Sequence, residues 1–233
     1  TIEFSKNKAI YANTKLSNIF KDYSGKNYLD DISNKLKLNN LNKNIIPCDL
    51  KASLRDYQIY GLKWFNELSS LGFGGILGDE MGLGKTVQAI SFILSNRGKK
   101  TIIITPTSLI YNWRDEFLKF APSLKIAIVN ETKKKRLDII ENYKNYDVIL
   151  TTYNLFRIDS DNYKDTEFDY CFLDEAQYIK NPNSKNSKAC KCINAKSRFA
   201  LTGTPLENNL MELWSIFDFI MPGFLNNQEK FNA

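Results

Sequence analysis

The sequence contains no histidine among its 233 residues. Without an imidazole, the chain cannot carry Ser-His-Asp or Cys-His catalysis, histidine-ligated metal sites or imidazole pH switches. Any acid–base chemistry must therefore use carboxylates.

Cysteines and long apolar runs are also scarce. The four cysteines, Cys48, Cys171, Cys190 and Cys192, form no Cys-x-x-Cys pair, which predicts reduced thiols. No apolar run approaches the roughly 20 residues that a membrane helix needs, and no secretory signal opens the sequence. We therefore expect a soluble, cytoplasmic protein, associated with the nucleoid if DNA is its substrate.

The composition suits one α/β domain with an appendage, because 43% of the residues are hydrophobic. The 32 Lys and Arg residues exceed the 26 Asp and Glu residues, which gives a net charge of +6. A mild positive excess suits a polyanionic partner, but many solvated surfaces share it.

The pattern along the chain changes near Leu54. Residues 1–50 are rich in Lys and Asn with loosely helical apolar spacing, which predicts an accessory helical segment or the end of an upstream domain. Residues 51–233 alternate short apolar runs with amphipathic segments. The predicted strands are 74–77, 101–105, 125–129, 148–151, 170–173 and 198–202, and the predicted helices include 86–94, 108–120 and 134–143. This rhythm predicts a mostly parallel sheet covered on both faces.

A glycine-rich segment joins the first predicted strand to a helix and ends in Gly-Lys-Thr. Gly82 and Gly84 can adopt positive φ, so that backbone N–H groups face an anion near the helix N-terminus. Lys85 would reach the β- and γ-phosphates of ATP, and the Thr86 hydroxyl would ligate Mg²⁺. Asp79 stands where the general phosphate-loop pattern has its first glycine. The alternative, a tight turn with a surface lysine, is disfavoured by the strand, the helix and the Lys-Thr pair together.

Two adjacent carboxylates, Asp174 and Glu175, follow the predicted strand 170–173. Ligands of open α/β sheets bind at the carboxyl ends of strands. Asp174 is therefore a candidate Mg²⁺ ligand, and Glu175 a candidate to orient and deprotonate the attacking water. Alone, the pair would more often mark a helix N-terminus, but the phosphate loop favours the catalytic interpretation.

Several ordered blocks from Leu54 onward resemble the Swi/Snf-related ATPases of helicase superfamily two. The blocks similar to the nucleotide motifs are Leu54-Arg55-Asp56-Tyr57-Gln58, with Gln58 as the adenine-reading amide, Asp79-Glu80-Met81-Gly82-Leu83-Gly84-Lys85-Thr86, and Asp174-Glu175-Ala176-Gln177. The blocks similar to the nucleic-acid motifs are Thr105-Pro106-Thr107-Ser108-Leu109 with Asn112-Trp113, and Thr151-Thr152-Tyr153. Many members carry His where this chain has Gln177.

The last block resembles the motif that couples ATP to nucleic acid in this family. It comprises Leu201-Thr202-Gly203-Thr204-Pro205-Leu206, then Asn208-Asn209 and Leu213-Trp214. The resemblance implies a RecA-like lobe that uses ATP and Mg²⁺, tracks double-stranded DNA, and couples through Gln177, Thr202, Gly203 and Thr204. It also implies a second lobe of the same full-length chain, which would supply the arginine fingers. No second-lobe motif follows residue 219, so we expect this chain, as an excised fragment, to bind ATP weakly and to hydrolyse it barely above background.

The hydroxyl and amide groups of residues 105–108 and 151–153 suit contacts with DNA phosphates, which position a protein without reading sequence. Threonines at strand ends also serve as plain caps, and only the family resemblance favours the DNA interpretation. The basic run at residues 133–136 is interpreted as a solvated face. Trp113 and Trp214 are interpreted as packing residues.

Two other functions use the same loop. A small-molecule phosphotransferase would add an acceptor site, and the Thr105-Pro106 and Thr202-Gly203-Thr204 blocks argue against it. A nucleotide-binding module that does not hydrolyse ATP is disfavoured because Lys85 and Glu175 are both present.

Overall fold

The computed structural model describes residues 45–204, 210–226 and 228–232. Residues 1–44 of the predicted accessory segment lie outside this part of the chain, so that segment stays a prediction. The described residues divide into two units, 45–222 and 223–232.

The first unit is an α/β fold of six strands and seven helices of more than one turn. The strands are β1 (Gly75–Leu77), β2 (Thr101–Thr105), β3 (Ile126–Val129), β4 (Val148–Thr152), β5 (Phe168–Asp174) and β6 (Ala195–Leu201). The helices are α1 (Asp56–Ser70), α2 (Lys85–Ser95), α3 (Ile110–Phe120), α4 (Lys133–Glu141), α5 (Tyr153–Ile158), α6 (Lys185–Lys191) and α7 (Leu210–Ile220). Short 3-10 turns lie at Tyr143–Asn145, Ser160–Tyr163 and Ala176–Ile179.

The six strands form one parallel sheet in the order β1-β6-β5-β2-β4-β3. All six predicted strands are present, with ends shifted by a few residues, and the predicted parallel sheet is confirmed. β5 is longer than the predicted 170–173 because its pairing with β6 runs from Phe168 to Asp174. Strands β2 and β4 are buried along their whole length, as expected for a parallel sheet that is covered on both faces.

Two apolar cores lie on opposite faces of the sheet. In β2, Ile102 and Ile104 belong to one core and Ile103 to the other, because successive side chains of a strand alternate. Helices α1, α2 and α3 cover the Ile103 face, and α4 to α7 contribute to the opposite core. The Ile103 core contains an aromatic cluster in which Phe65 and Phe199 meet edge to face at 4.9 Å.

Helix α1 is additional to the predicted elements. Its buried positions are Gln58, Gly61, Leu62 and Phe65, and a glycine and an amide on the inner face weaken the apolar periodicity that predicts a helix. Helix α3 begins at Ile110, two residues later than predicted, because residues 106–109 close a turn through a Leu109 N–H to Pro106 carbonyl bond of 2.9 Å.

The second unit contains a turn and the short helix α8 (Gln228–Asn232). Gly223 and Asn226 adopt positive φ in the turn, at 76° and 64°. Among the residues that the structure describes, no helix is long and apolar enough to cross a membrane. All four cysteines have free thiols.

The predicted solvated basic face holds for Lys133, Lys134 and Lys135, which are exposed. It is wrong for Arg136, which is buried. The Arg136 guanidinium donates two hydrogen bonds to the Asp159 carboxylate, at 2.6 and 3.0 Å, and a third to the Glu131 carbonyl at 2.8 Å. Burial of this cation is possible because the paired carboxylate is buried beside it.

Asp159→Ala should destabilise the protein by about 3–5 kcal/mol, because it leaves the Arg136 charge buried without its partner. The control is Lys135→Ala on the same helix, which removes an exposed ion pair with Glu131 and should cost about 0–1 kcal/mol. Urea unfolding of both variants measures the difference. Equal midpoints would contradict a structural role for the buried pair.

Candidate active site

The register of the sheet brings the predicted phosphate loop and the predicted carboxylates to one edge. Leu77 pairs with Leu201, and Leu201 pairs with Asp174 on the next strand. The loop that follows Leu77 and the carboxylates at the end of β5 are thus two strands apart, about 10 Å at the usual strand spacing. Thr202, which follows β6, lies between them.

The loop has the backbone conformation that an anion-binding nest requires. Gly82 and Gly84 adopt φ of 83° and 76°, and α2 begins immediately afterwards at Lys85. A Cβ atom at Gly82 would meet nothing within 4 Å, so the loop leaves open space on that side. Glycine supplies this conformation without the steric cost that other residues have.

Lys85 bridges the loop from its end to its beginning. Its ammonium donates hydrogen bonds to the carbonyls of Asp79 and Glu80, at 2.8 and 3.1 Å. The positive charge is therefore held inside the arc of backbone that the glycines shape. The side chain of Met81, at the tip of the same arc, is exposed.

Gln58 ties α1 to the loop. Its Oε1 accepts a hydrogen bond from the Arg55 N–H at 2.9 Å, and its Nε2 donates to the Leu83 carbonyl at 3.1 Å. The Tyr57 hydroxyl donates to the same Leu83 carbonyl, also at 3.1 Å. Gln58 thus connects the start of α1 to the loop, and its recognition of adenine stays a prediction.

Gln88 is a residue of the site that the sequence motifs do not include. Its Nε2 donates to the Asp79 carboxylate at 2.9 Å, which gives a partner to the residue that replaces the first glycine of the general pattern. Gln88 is fully buried, and its Oε1 has no hydrogen-bond partner. It lines a cavity of about 330 Å³ whose walls include Tyr60 and Trp64. The aromatic walls suit a flat ring, while Gln88 Oε1 itself is buried against Gly61.

Asp174 is the most constrained carboxylate of the site. It is only 8% exposed, and its Oδ2 accepts hydrogen bonds from the Trp113 indole at 2.8 Å and the Thr105 hydroxyl at 3.0 Å. Its Oδ1 accepts from the Glu175 N–H at 3.0 Å, and its carbonyl accepts from the Tyr153 hydroxyl at 2.8 Å. Burial raises the pKa of Asp174 above its ordinary value, and the bonds from Trp113 and Thr105 oppose that rise.

Glu175 has a backbone conformation that non-glycine residues rarely adopt, with φ of 51°. Such a conformation costs about 1–3 kcal/mol and often accompanies a functional site. The Gln177 amide donates to Glu175 Oε2 at 2.8 Å, and the Thr202 hydroxyl donates to Gln177 Oε1 at 3.1 Å. The Thr204 N–H donates to the Thr202 hydroxyl at 3.1 Å. Gln177 therefore connects the end of β5 to the end of β6.

Gly203 completes the contact between the predicted coupling block and the loop. A Cβ atom at this position would lie 3.3 Å from Met81 Cγ and 3.9 Å from the Asp79 carbonyl. A larger residue would therefore press on the loop. Residues 205–209 of the same block lie outside the described residues, and Trp214 is buried as predicted.

The predicted DNA-facing residues divide into an exposed pair and a buried set. Thr107 and Ser108 are exposed at the turn that follows β2. The buried residues are Thr105, Pro106, Thr151, Thr152 and Tyr153. The side chains of these five residues lie in the interior, and the predicted contact of their segments with DNA phosphates stays a prediction.

The buried hydroxyls have partners within the protein. Thr151 donates to the Val129 carbonyl at 3.4 Å, and Thr152 caps α5 by accepting from the Leu155 N–H at 3.3 Å. Thr105 and Tyr153 both bind Asp174. Trp113 packs as predicted, but its polar contact is an addition. A buried indole N–H usually finds a partner, and that rule was the available signal.

Comparison with known proteins relates the chain to one protein family. A family model described as SNF2-related domain matches residues 57–233. An uncharacterized ATP-dependent helicase of Mycoplasma pneumoniae is 40% identical over 226 residues, which are 93% of this chain and 22% of that protein. The TATA-binding protein-associated factor MOT1 of Saccharomyces cerevisiae is 41% identical over 202 residues, 80% of this chain and 11% of that protein. The chain thus spans less than a quarter of these curated relatives.

A solved structure supports the same relation. The SWI2/SNF2 ATPase core of Sulfolobus solfataricus, in complex with double-stranded DNA, matches with a TM-score of 0.73 and 42% identity, over 80% of this chain and 39% of that one. This match confirms the predicted RecA-like fold.

Gly84→Ala should weaken nucleotide binding by about tenfold or more, because ~1–2 kcal/mol of backbone strain would fall on the loop. The new Cβ would also lie 2.6 Å from Gln58 Nε2. The matched control is Gly98→Ala, since Gly98 has φ of 82° and nothing within 4 Å of the new Cβ. Titration with a fluorescent ATP analogue compares the variants. If both bound nucleotide like the parent, the loop would not be the binding element.

Proposed function

The chain belongs to the SNF2-related family, as its motifs indicated, and on that premise we propose that it is the ATP-binding lobe of a DNA-dependent ATPase and translocase. The observation that carries the proposal is the shared sheet edge. There the glycine-shaped loop with Lys85 lies two strands from the buried Asp174 and the partly buried Glu175, and Gln177 and Thr202 lie between them.

The residues of the loop fit the phosphates of ATP. Gly82 and Gly84 shape the backbone. The Lys85 ammonium can exchange its hydrogen bonds to the Asp79 and Glu80 carbonyls for hydrogen bonds to phosphate oxygens. The remaining residues of the loop, Asp79, Glu80, Met81 and Leu83, contribute backbone. The cavity walled by Tyr60 and Trp64 suits a flat ring such as a purine.

Thr86 and Asp174 would hold Mg²⁺, which commonly binds one or two carboxylates together with substrate phosphates. When bound, Mg²⁺ neutralises charge on the phosphoryl group. Glu175 would act as the base that orients and deprotonates water, and the Gln177 amide fixes its carboxylate. Because Gln177 also binds Thr202, hydrolysis at Glu175 is linked to the block that was predicted to couple it to DNA.

We propose duplex DNA as the polymer partner. The relative from Sulfolobus solfataricus was solved with double-stranded DNA, and the exposed Thr107 and Ser108 offer hydroxyl and amide groups for phosphate contacts. Contacts of this kind position a motor without reading sequence. Complete turnover would need residues beyond this chain, such as a second lobe, because the curated relatives are four or more times longer.

Lys85→Ala should weaken ATP binding by about tenfold to a hundredfold, since the phosphates lose charge-assisted hydrogen bonds. Lys99→Ala is a suitable control, because Lys99 is an exposed lysine in the connection between α2 and β2. A fluorescent ATP analogue measures both. Parent-like affinity in the Lys85 variant would remove the phosphate-loop assignment.

Glu175→Gln in the complete protein should bind ATP normally and hydrolyse it about 10²–10⁴-fold more slowly, because the base is lost while the metal ligands remain. Glu141→Gln, an exposed exchange on α4, is the control. Phosphate release is measured with and without duplex DNA. A parent whose turnover does not rise with DNA would contradict the DNA-dependent function, and unchanged turnover in the variant would contradict the role of Glu175.

A further inference from the structure

One oxygen atom of Asp174 connects the ATP site to the proposed DNA-facing turn. Thr105 is the last residue of β2 and Trp113 lies in the first turn of α3, and both donate to Asp174 Oδ2. The residues between them include the turn that exposes Thr107 and Ser108. The turn is therefore fastened at both ends to the same carboxylate oxygen.

The segment between the two contacts has little freedom to move independently. The Leu109 N–H donates to the Pro106 carbonyl at 2.9 Å, and the Trp113 N–H donates to the Leu109 carbonyl at 3.0 Å. A displacement of the exposed turn would therefore be passed to the Thr105 hydroxyl, the Trp113 indole or both.

The second predicted DNA segment reaches the same residue by another route. Thr152 pairs with Thr105 in the sheet, and the next residue, Tyr153, donates its hydroxyl to the Asp174 carbonyl. The ring of Tyr153 stacks on the exposed Tyr178 at 5.0 Å. Both segments thus form hydrogen bonds with Asp174, one with its side chain and one with its backbone carbonyl.

Resting on the proposed function, we infer that Trp113 and Thr105 are positioning residues that form an Asp174 clamp. Contact of duplex DNA with Thr107 and Ser108 sets the position of the clamp, and the clamp sets how well Asp174 holds Mg²⁺ with the nucleotide. Stimulation of ATP hydrolysis by DNA would then pass through the Trp113 N–H.

Trp113 is 2% exposed and its ring lies 5.9 Å from that of Phe117, so the ring packs in the core while its N–H binds Asp174. The N–H matters because, together with the Thr105 hydroxyl, it holds the buried Asp174 carboxylate in one orientation. Groups that orient a metal ligand in this way commonly change metal affinity or activity by about 10–100-fold when removed.

The test uses two variants of the complete protein that each remove a donor. Trp113→Phe removes the indole N–H, and Thr105→Val removes the hydroxyl. Thr105→Ser keeps the hydroxyl, and Phe117→Leu disturbs packing on the same buried face of α3 without touching a donor. Nucleotide affinity is titrated with Mg²⁺ and with EDTA, and ATP hydrolysis is measured with and without duplex DNA.

In Trp113→Phe and Thr105→Val, we expect the increase in nucleotide affinity caused by Mg²⁺ to be about 10–100-fold smaller than in the parent. Nucleotide affinity in EDTA should stay at the parent value. The same two variants should lose most of their stimulation by DNA. Thr105→Ser and Phe117→Leu should keep the Mg²⁺ contribution.

Two results would overturn the clamp. One is a parent-like Mg²⁺ contribution in Trp113→Phe and Thr105→Val, and the other is an equal loss in Phe117→Leu, which would show a packing effect. A parent that lacks DNA stimulation would instead refute the proposed function together with the DNA half of the clamp. The Mg²⁺ titration needs no DNA, so it still tests whether Trp113 and Thr105 orient Asp174 for Mg²⁺.

Discussion

The burial of the Asp174 carboxylate is the constraint on which the rest of the site depends. A carboxylate that is 8% exposed is costly unless donors surround it, and four donors from separate parts of the chain meet this one residue. They come from the end of β2, from α3, from the start of α5 and from the backbone of Glu175. Three of the donors bind the carboxylate and the Tyr153 hydroxyl binds the backbone carbonyl, so a single buried residue connects these elements.

The parallel sheet makes this convergence possible. Because all six strands run in one direction, their carboxyl ends and the segments that follow them gather at one edge. The register aligns Leu77, Leu201 and Asp174, so the phosphate loop, the coupling block and the carboxylates occupy adjacent strands. Gln177 then spans the short distance from Glu175 to Thr202, and Gly203 allows the coupling block to lie against the loop.

The first segment that resembles a nucleic-acid motif exposes Thr107 and Ser108, which are available to a polymer. Its buried Thr105, and Tyr153 of the second segment, bind the residue proposed to hold Mg²⁺. An arrangement of this kind can serve as a physical link between two sites, because both sites bias the position of the same side chain. The link is short, since it passes through one turn of chain and one carboxylate.

Local patterns in the sequence predicted the six strands and the candidate site residues. Apolar runs predicted all six strands, and the order of Gly, Lys, Thr, Asp and Glu predicted the phosphate loop and the carboxylates, because each of these signals lies within a few consecutive residues. Only the tertiary structure decided the order of the strands, the inward direction of the hydroxyls in 105 and 151–153, and the pairing of Arg136 with Asp159. It also decided that Trp113 binds Asp174, 61 residues away in the chain. A strand or helix pattern specifies that a side chain is buried, but its partner depends on which segments the sheet brings together, and that is a property of the whole fold.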